Sequence, residues 1–207
     1  ETGKEVDAIE KILEAHHLDV KKYVGPYGTE ESFVSLNNCP PQILHIATHG
    51  FYYTPDAAKE VGYLRGYTDA MSLSGLVLSG GNAVWQNKEL PDGVLGGILT
   101  AADITRLNLE GVEMAVLSAC QTGQGKATSE GLFGLQRAFK KAGVKTIVMT
   151  LWSVSDVVTK EFMVKFYENL AGKSFVWNKR HAFEQAKSYI RTKYPDPFYW
   201  AGFVMLD

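Results

Sequence analysis

Cysteine is scarce in this chain, which has two in 207 residues, Cys39 and Cys120. One possible pair over that length makes no disulfide framework, so the core must hold the fold, and a reducing compartment, the cytoplasm, is expected. Long hydrophobic runs are missing too: no stretch approaches the roughly 20 apolar residues of a membrane span, and the start of the chain has no secretory pattern. A soluble protein with no membrane partner is expected. Charge of one sign is also lacking, with 21 basic against 23 acidic residues and a net charge of -2. A binder of phosphate backbones carries a basic patch, so nucleic acid is not an expected partner.

Several enzyme signatures are absent. No G-x-S-x-G elbow occurs, which argues against a serine hydrolase of that type. His, Cys, Asp and Glu do not recur at ligand spacing, so neither a metal nor another cofactor is expected. Ser79-Gly80-Gly81-Asn82 and Gly123-Gln124-Gly125-Lys126 hint at phosphate loops. The second fails in detail: a P-loop needs glycine five residues before its Gly-Lys pair and Ser or Thr after it, and those positions hold Cys120 and Ala127.

What remains is an ordinary soluble composition, 45% apolar, enough for one well-buried core over residues 1–207. Two segments stand out. Val116-Leu-Ser-Ala-Cys120-Gln-Thr-Gly123 is an apolar strand that ends on a cysteine and passes into a glycine-rich loop. Ile43-Leu-His-Ile-Ala-Thr-His49-Gly50 is a strand that ends on a histidine and then a glycine. Open α/β sheets place their chemistry at the carboxyl ends of strands. A thiol is a nucleophile as thiolate and needs a neighbour to ionise it near neutral pH, a role suited to imidazole. Either residue alone reads as a core residue; the pair, each followed by a turn, reads as a thiol nucleophile with its base.

The rest of the chain alternates helix and strand. Val6, Ile9, Ile12 and Leu13 recur at helical spacing from Lys4 to His17, before a strand candidate at Leu18 to Tyr23. Thr29 followed by Glu30 and Glu31 caps a helix that stops before Pro40-Pro41. After the strand at 43–48, residues 51–75 have no sustained period and read as a long loop insertion. Leu76 to Ser79 is a short strand, and Gly80-Gly81-Asn82 turns the chain. Thr100 with Asp103 forms a capping box for a helix ending near Leu107. Then follow a strand at 112–119, a helix from Ser129 to Ala142 closed by Gly143, and a strand at 144–151. Helices from Val157 to Ala171 and from about Phe175 to Lys193 precede a last strand at 201–206. Continuous apolar strands between helices indicate a mostly parallel central sheet covered on both faces.

With these residues placed, the chain resembles the CHAT domains, a bacterial branch of the caspase-like cysteine peptidases that also include metacaspases and separases. The matching pieces are His45-Ile-Ala-Thr-His49-Gly50, Leu76-Val-Leu-Ser79, Asp103-Ile104, Leu117-Ser-Ala-Cys120-Gln-Thr-Gly123, Gly131-Leu-Phe-Gly-Leu-Gln-Arg-Ala-Phe139, Ala142-Gly143, Leu151-Trp-Ser-Val-Ser-Asp156, Phe166-Tyr167 and Tyr199-Trp-Ala-Gly-Phe203. They run in the family's order over nearly the whole chain. The resemblance implies a three-layer α/β/α caspase-like fold and a cysteine endopeptidase acting on protein or peptide substrates. It makes Cys120 the nucleophile and His49 its partner, with the backbone N–H groups of Gly50 and Cys120 as oxyanion hole.

The same resemblance places Trp152 and Ser153 where the substrate backbone is held by strand addition, with Asp156 just after. A structural reading stands beside each: Trp152 as a core residue, Asp156 as a helix N-cap. His45, roughly 13 Å along the strand from His49 at about 3.3 Å per residue, is too far to share a metal with it and reads as buried packing or as a supporting hydrogen bond behind the site. CHAT domains are commonly fused to helical repeats or other sensor modules, so an upstream module is the implied partner, and the chain is expected to be a piece of a longer protein. The competing reading is a catalytically latent signalling or interaction module. His49 and Cys120 lie 71 positions apart, more than in caspases, and segment 51–75 accounts for the excess.

Overall fold

The structure, a computed structural model, describes residues 2–86, 88, 95–121, 129–172 and 178–207, with the backbone alone for Thr2, Ala119, Cys120, Gln121 and residues 129–133. In chain order the elements are α1 (Thr2–Ala15), α2 (Glu30–Val34), β1 (Ile43–Tyr52), α3 (Pro55–Ala58), β2 (Ser74–Val77), α4 (Gly81–Trp85) and β3 (Ile98–Thr100). They continue with α5 (Ala101–Ile104), β4 (Met114–Gln121), α6 (Ser129–Lys141), β5 (Thr146–Thr150), α7 (Asp156–Leu170), α8 (Lys179–Lys193) and β6 (Phe203–Leu206). The architecture is α/β, a six-stranded mixed sheet with a mostly parallel core, flanked by helices.

The chain forms two compact units. The central unit, Tyr23–Val148 with Asp207, has the strand order β3-β2-β1-β4, then the start of β5. β1 and β4 run parallel, while β1–β2 and β2–β3 are antiparallel. Met114, Ala115, Val116 and Leu117 are buried without alternation, as expected of a strand covered on both faces. The α6 helix packs on β1 and β2. Gly134 allows that approach, since a Cβ there would lie 2.5 Å from Ser74 Oγ.

The terminal unit joins both ends of the chain, residues 1–22 and Met149–Leu206. Here α1 packs on α7, α7 on α8, and α8 on β6, which follows β5 in strand order. Phe162 stacks on Phe203 at 3.9 Å between centroids, and complete burial pushes the Tyr167 phenol far above its ordinary range.

Several expectations need correction. β1 does not stop at Thr48 but runs to Tyr52, because Phe51 and Tyr52 are buried and paired with Gly75 and Ser74 of β2. Gly50, expected in a turn, is a mid-strand residue. No strand forms at Leu18 to Tyr23. The α2 helix ends at Val34, well short of the prolines, in a series of turns. Segment 51–75, expected as a loop, holds the end of β1, α3, a 3-10 turn at Gly62–Leu64 and the start of β2. It is organised by a small core of Phe51, Tyr53, Ala58, Leu64, Leu73 and Ile98, with Trp85 Nε1 donating to the Tyr53 hydroxyl at 3.3 Å. The phosphate-loop candidate at 123–126 and the expected helix start at Phe175 lie outside the described residues. Among the described residues no helix is long and apolar enough to cross a membrane, and no cluster of acidic, His and Cys side chains could hold a metal.

Candidate active site

The parallel pairing of β1 with β4 sets the candidate site. Its register runs from Ile43 beside Met114 to His49 beside Cys120 and Gly50 beside Gln121. Neighbouring strands lie about 4.8 Å apart, and positions paired across them share a face of the sheet. Two residues 71 positions apart in sequence thus occupy adjoining places on adjoining strands. On its other side His49 pairs with Val77 of β2. His49 is exposed and Gly50 buried.

The direction of each backbone group follows from the ladder. Tyr53 N–H donates to Leu73 C=O at 2.9 Å across the extension of the β1–β2 pair. Hydrogen-bonding direction alternates along an antiparallel strand. Phe51 and His49 therefore direct their N–H groups to β2, and Gly50 directs its N–H toward β4, the strand that carries Cys120. Leu78 N–H donates to Gly97 C=O at 2.7 Å, which independently turns Val77 toward β1 and makes its carbonyl the acceptor for His49 N–H. The Thr48 hydroxyl donates to that same Val77 carbonyl. No hydrogen bond is formed by the His49 imidazole among the described residues. His45 pairs with Val116, four rungs earlier, and is half-buried.

Trp152, Ser153 and Asp156 belong to the terminal unit. The indole of Trp152 is half-buried, donates from Nε1 to Phe198 C=O at 2.9 Å and stacks on the Phe198 ring. Gly202 leaves room for it, because a Cβ there would come within 2.8 Å of the ring. Ser153 is exposed just beyond the last ladder bond, from Leu151 N–H to Gly202 C=O at 2.9 Å. Asp156 is not the helix cap: Ser155 is, accepting from Val158 N–H at 3.4 Å, and Asp156 is the first residue of α7, exposed. Sequence reasoning passed over Thr48, whose hydroxyl bond depends on a β2 register that no local pattern announces.

A family model described as the CHAT domain matches residues 1–207, the full length. The chain belongs to the CHAT family. This is a caspase-like, peptidase-related domain, in keeping with the sheet and helices described. The CHAT domain here is also similar to tetratricopeptide repeat protein 28 of mouse, 34% identical over 110 residues, and of human, 32% identical over 111 residues. Each match covers 53% of this chain and 4% of the relative. Both relatives are mammalian, so likeness to this CHAT domain is not confined to bacteria.

Proposed function

We propose that this CHAT domain is a cysteine endopeptidase in which His49 and Cys120 act as a dyad. The single observation that carries the reading is the register that sets His49 beside Cys120 on parallel neighbouring strands. In this mechanism the Cys120 thiolate attacks the scissile carbonyl to form a thioester and a leaving amine. His49 carries the proton to that amine, then takes one from the water that releases the acid and regenerates the thiol. The N–H groups of Gly50 and Cys120 are assigned to the oxyanion on the family resemblance, which requires the Gly50 N–H to leave the β1–β4 ladder when substrate binds. Trp152, Ser153 and Asp156 are assigned to substrate binding on the family resemblance. Ser153 N–H has no partner among the described residues, and Asp156 offers an exposed carboxylate to a basic side chain.

The relatives' name supports a helical-repeat module as partner of the domain. A protein or peptide substrate and a cytoplasmic location complete the reading. Profiling of new peptide termini in a proteome-derived pool tests it. Termini are expected with the wild type and absent with Cys120→Ala and His49→Ala; the same termini from all three would sink the dyad.

One observation favours a second reading, a latent interaction module. β1 is paired on both sides at Gly50, with Leu76 and with Gln121, so its N–H lies in a ladder rather than open to a substrate. In that case no new termini appear until a partner is supplied.

A further inference from the structure

We infer that Thr48 is a positioning residue for His49, holding the β1 backbone at the catalytic rung through its hydroxyl bond to Val77. This rests on the peptidase reading above. A catalytic imidazole is commonly oriented by a third group bonded to its second nitrogen. Here the exposed His49 imidazole has no such bond among the described residues, so its placement depends on the backbone that carries it.

The Thr48 hydroxyl donates to Val77 C=O, and Val77 is the register partner of His49. The alternation of the ladder gives that same carbonyl to His49 N–H. One oxygen thus receives bonds from two consecutive residues, closing a small ring over the Thr48–His49 peptide. The ring restrains ψ of Thr48 and φ of His49, the torsions that set the Cα–Cβ direction of the histidine. A misplacement of about 1 Å can cost on the order of 10²-fold in rate. The bond stands on the β2 side of β1, away from Cys120, so Thr48 acts through His49 and not on the substrate.

Thr48→Val and Thr48→Ser separate this role from mere packing. Valine keeps the shape and β-branching but loses the donor, while serine keeps the donor. Thr48→Val is expected to lower kcat by about 3–30-fold with KM within about twofold, and Thr48→Ser to stay near wild type. Denaturation midpoints establish the folded fraction, and rates are compared per folded molecule. Hydrogen exchange at the His49 amide supplies a readout independent of catalysis, expected to quicken about 2–10-fold in Thr48→Val. If the wild type cleaves nothing even with a partner module, the peptidase reading fails, and the exchange rate alone decides whether Thr48 restrains His49. Unchanged exchange, or unchanged kcat where cleavage is present, overturns the inference.

Discussion

Glu30 and Glu31, neighbours in the first turn of α2, respond to acid in opposite senses. Glu31 accepts Leu95 N–H at 2.6 Å, and that bond holds its carboxyl below the ordinary range. Its contribution to stability is present above the unfolded pKa and is lost as pH falls. Glu30 accepts Gly97 N–H at 3.0 Å, but burial, the larger effect, raises its pKa, and Asp103 and Glu31 add to the rise. The folded state binds that proton more tightly than the unfolded chain does, so stability from this group is present at low pH and declines as pH rises through the glutamate range. Glu30→Gln should therefore gain on the wild type between pH 4 and pH 7, and Glu31→Gln should lose, by urea midpoints at each pH. Equal trends in both would contradict these assignments. His49 and Cys120 could be singled out as candidates because an imidazole and a thiol suggest a chemistry, and the register sets the two positions side by side. Gly97 was not, although its φ of 68° and the 2.4 Å that a Cβ would leave to Ser79 C=O make it hard to replace. Nothing local signals a close approach between distant segments.

Elements were legible where the signal is local. The capping box at α5 is present as read, with Thr100 Oγ1 accepting from Asp103 N–H at 3.1 Å and Asp103 accepting from Thr100 N–H at 3.2 Å. Gly143, at φ 108°, closes the helix before β5 as expected. β3 went unseen because three residues, Ile98–Thr100, cannot display a period. β1 was cut short because Gly50 looks like a turn, although pairing on two sides overrides a local preference. Leu18 to Tyr23 has the composition of a strand but, among the described residues, enters no ladder of the sheet. The hairpin that extends β1 depends on Gly75, where a Cβ would lie 2.4 Å from Leu99 C=O and 2.8 Å from the Phe51 ring. Gly75→Ala is expected to cost about 2–4 kcal/mol by urea unfolding. A loss below about 0.5 kcal/mol would mean that β2 and β3 are not packed as described.

At the scale of the molecule, the fold class was legible from alternating apolar strands and helices, whereas the division into two units was not. Helical spacing announced α1 but could not name α7 as the helix it packs against. Glu5 and Ile9, one turn apart on α1, are 4% and 5% exposed. Removing residues 1–22 is expected to cost at least about 2 kcal/mol for the uncovered apolar surface. Amide protection should then fall in α7 and α8 while β1 and β4 keep theirs. Equal losses in all four would show that the units do not behave separately.

The joining of the first helix to the last third of the chain also sets an order of events during synthesis. The α1 helix leaves the ribosome ahead of α7, which follows only after the whole central unit has been made. At about 5–20 residues per second, an interval of roughly 10–40 s separates the emergence of Lys22 from that of Leu206. The central unit, with both members of the proposed dyad, can thus fold while α1 still waits for its permanent neighbour, free meanwhile to bind a chaperone.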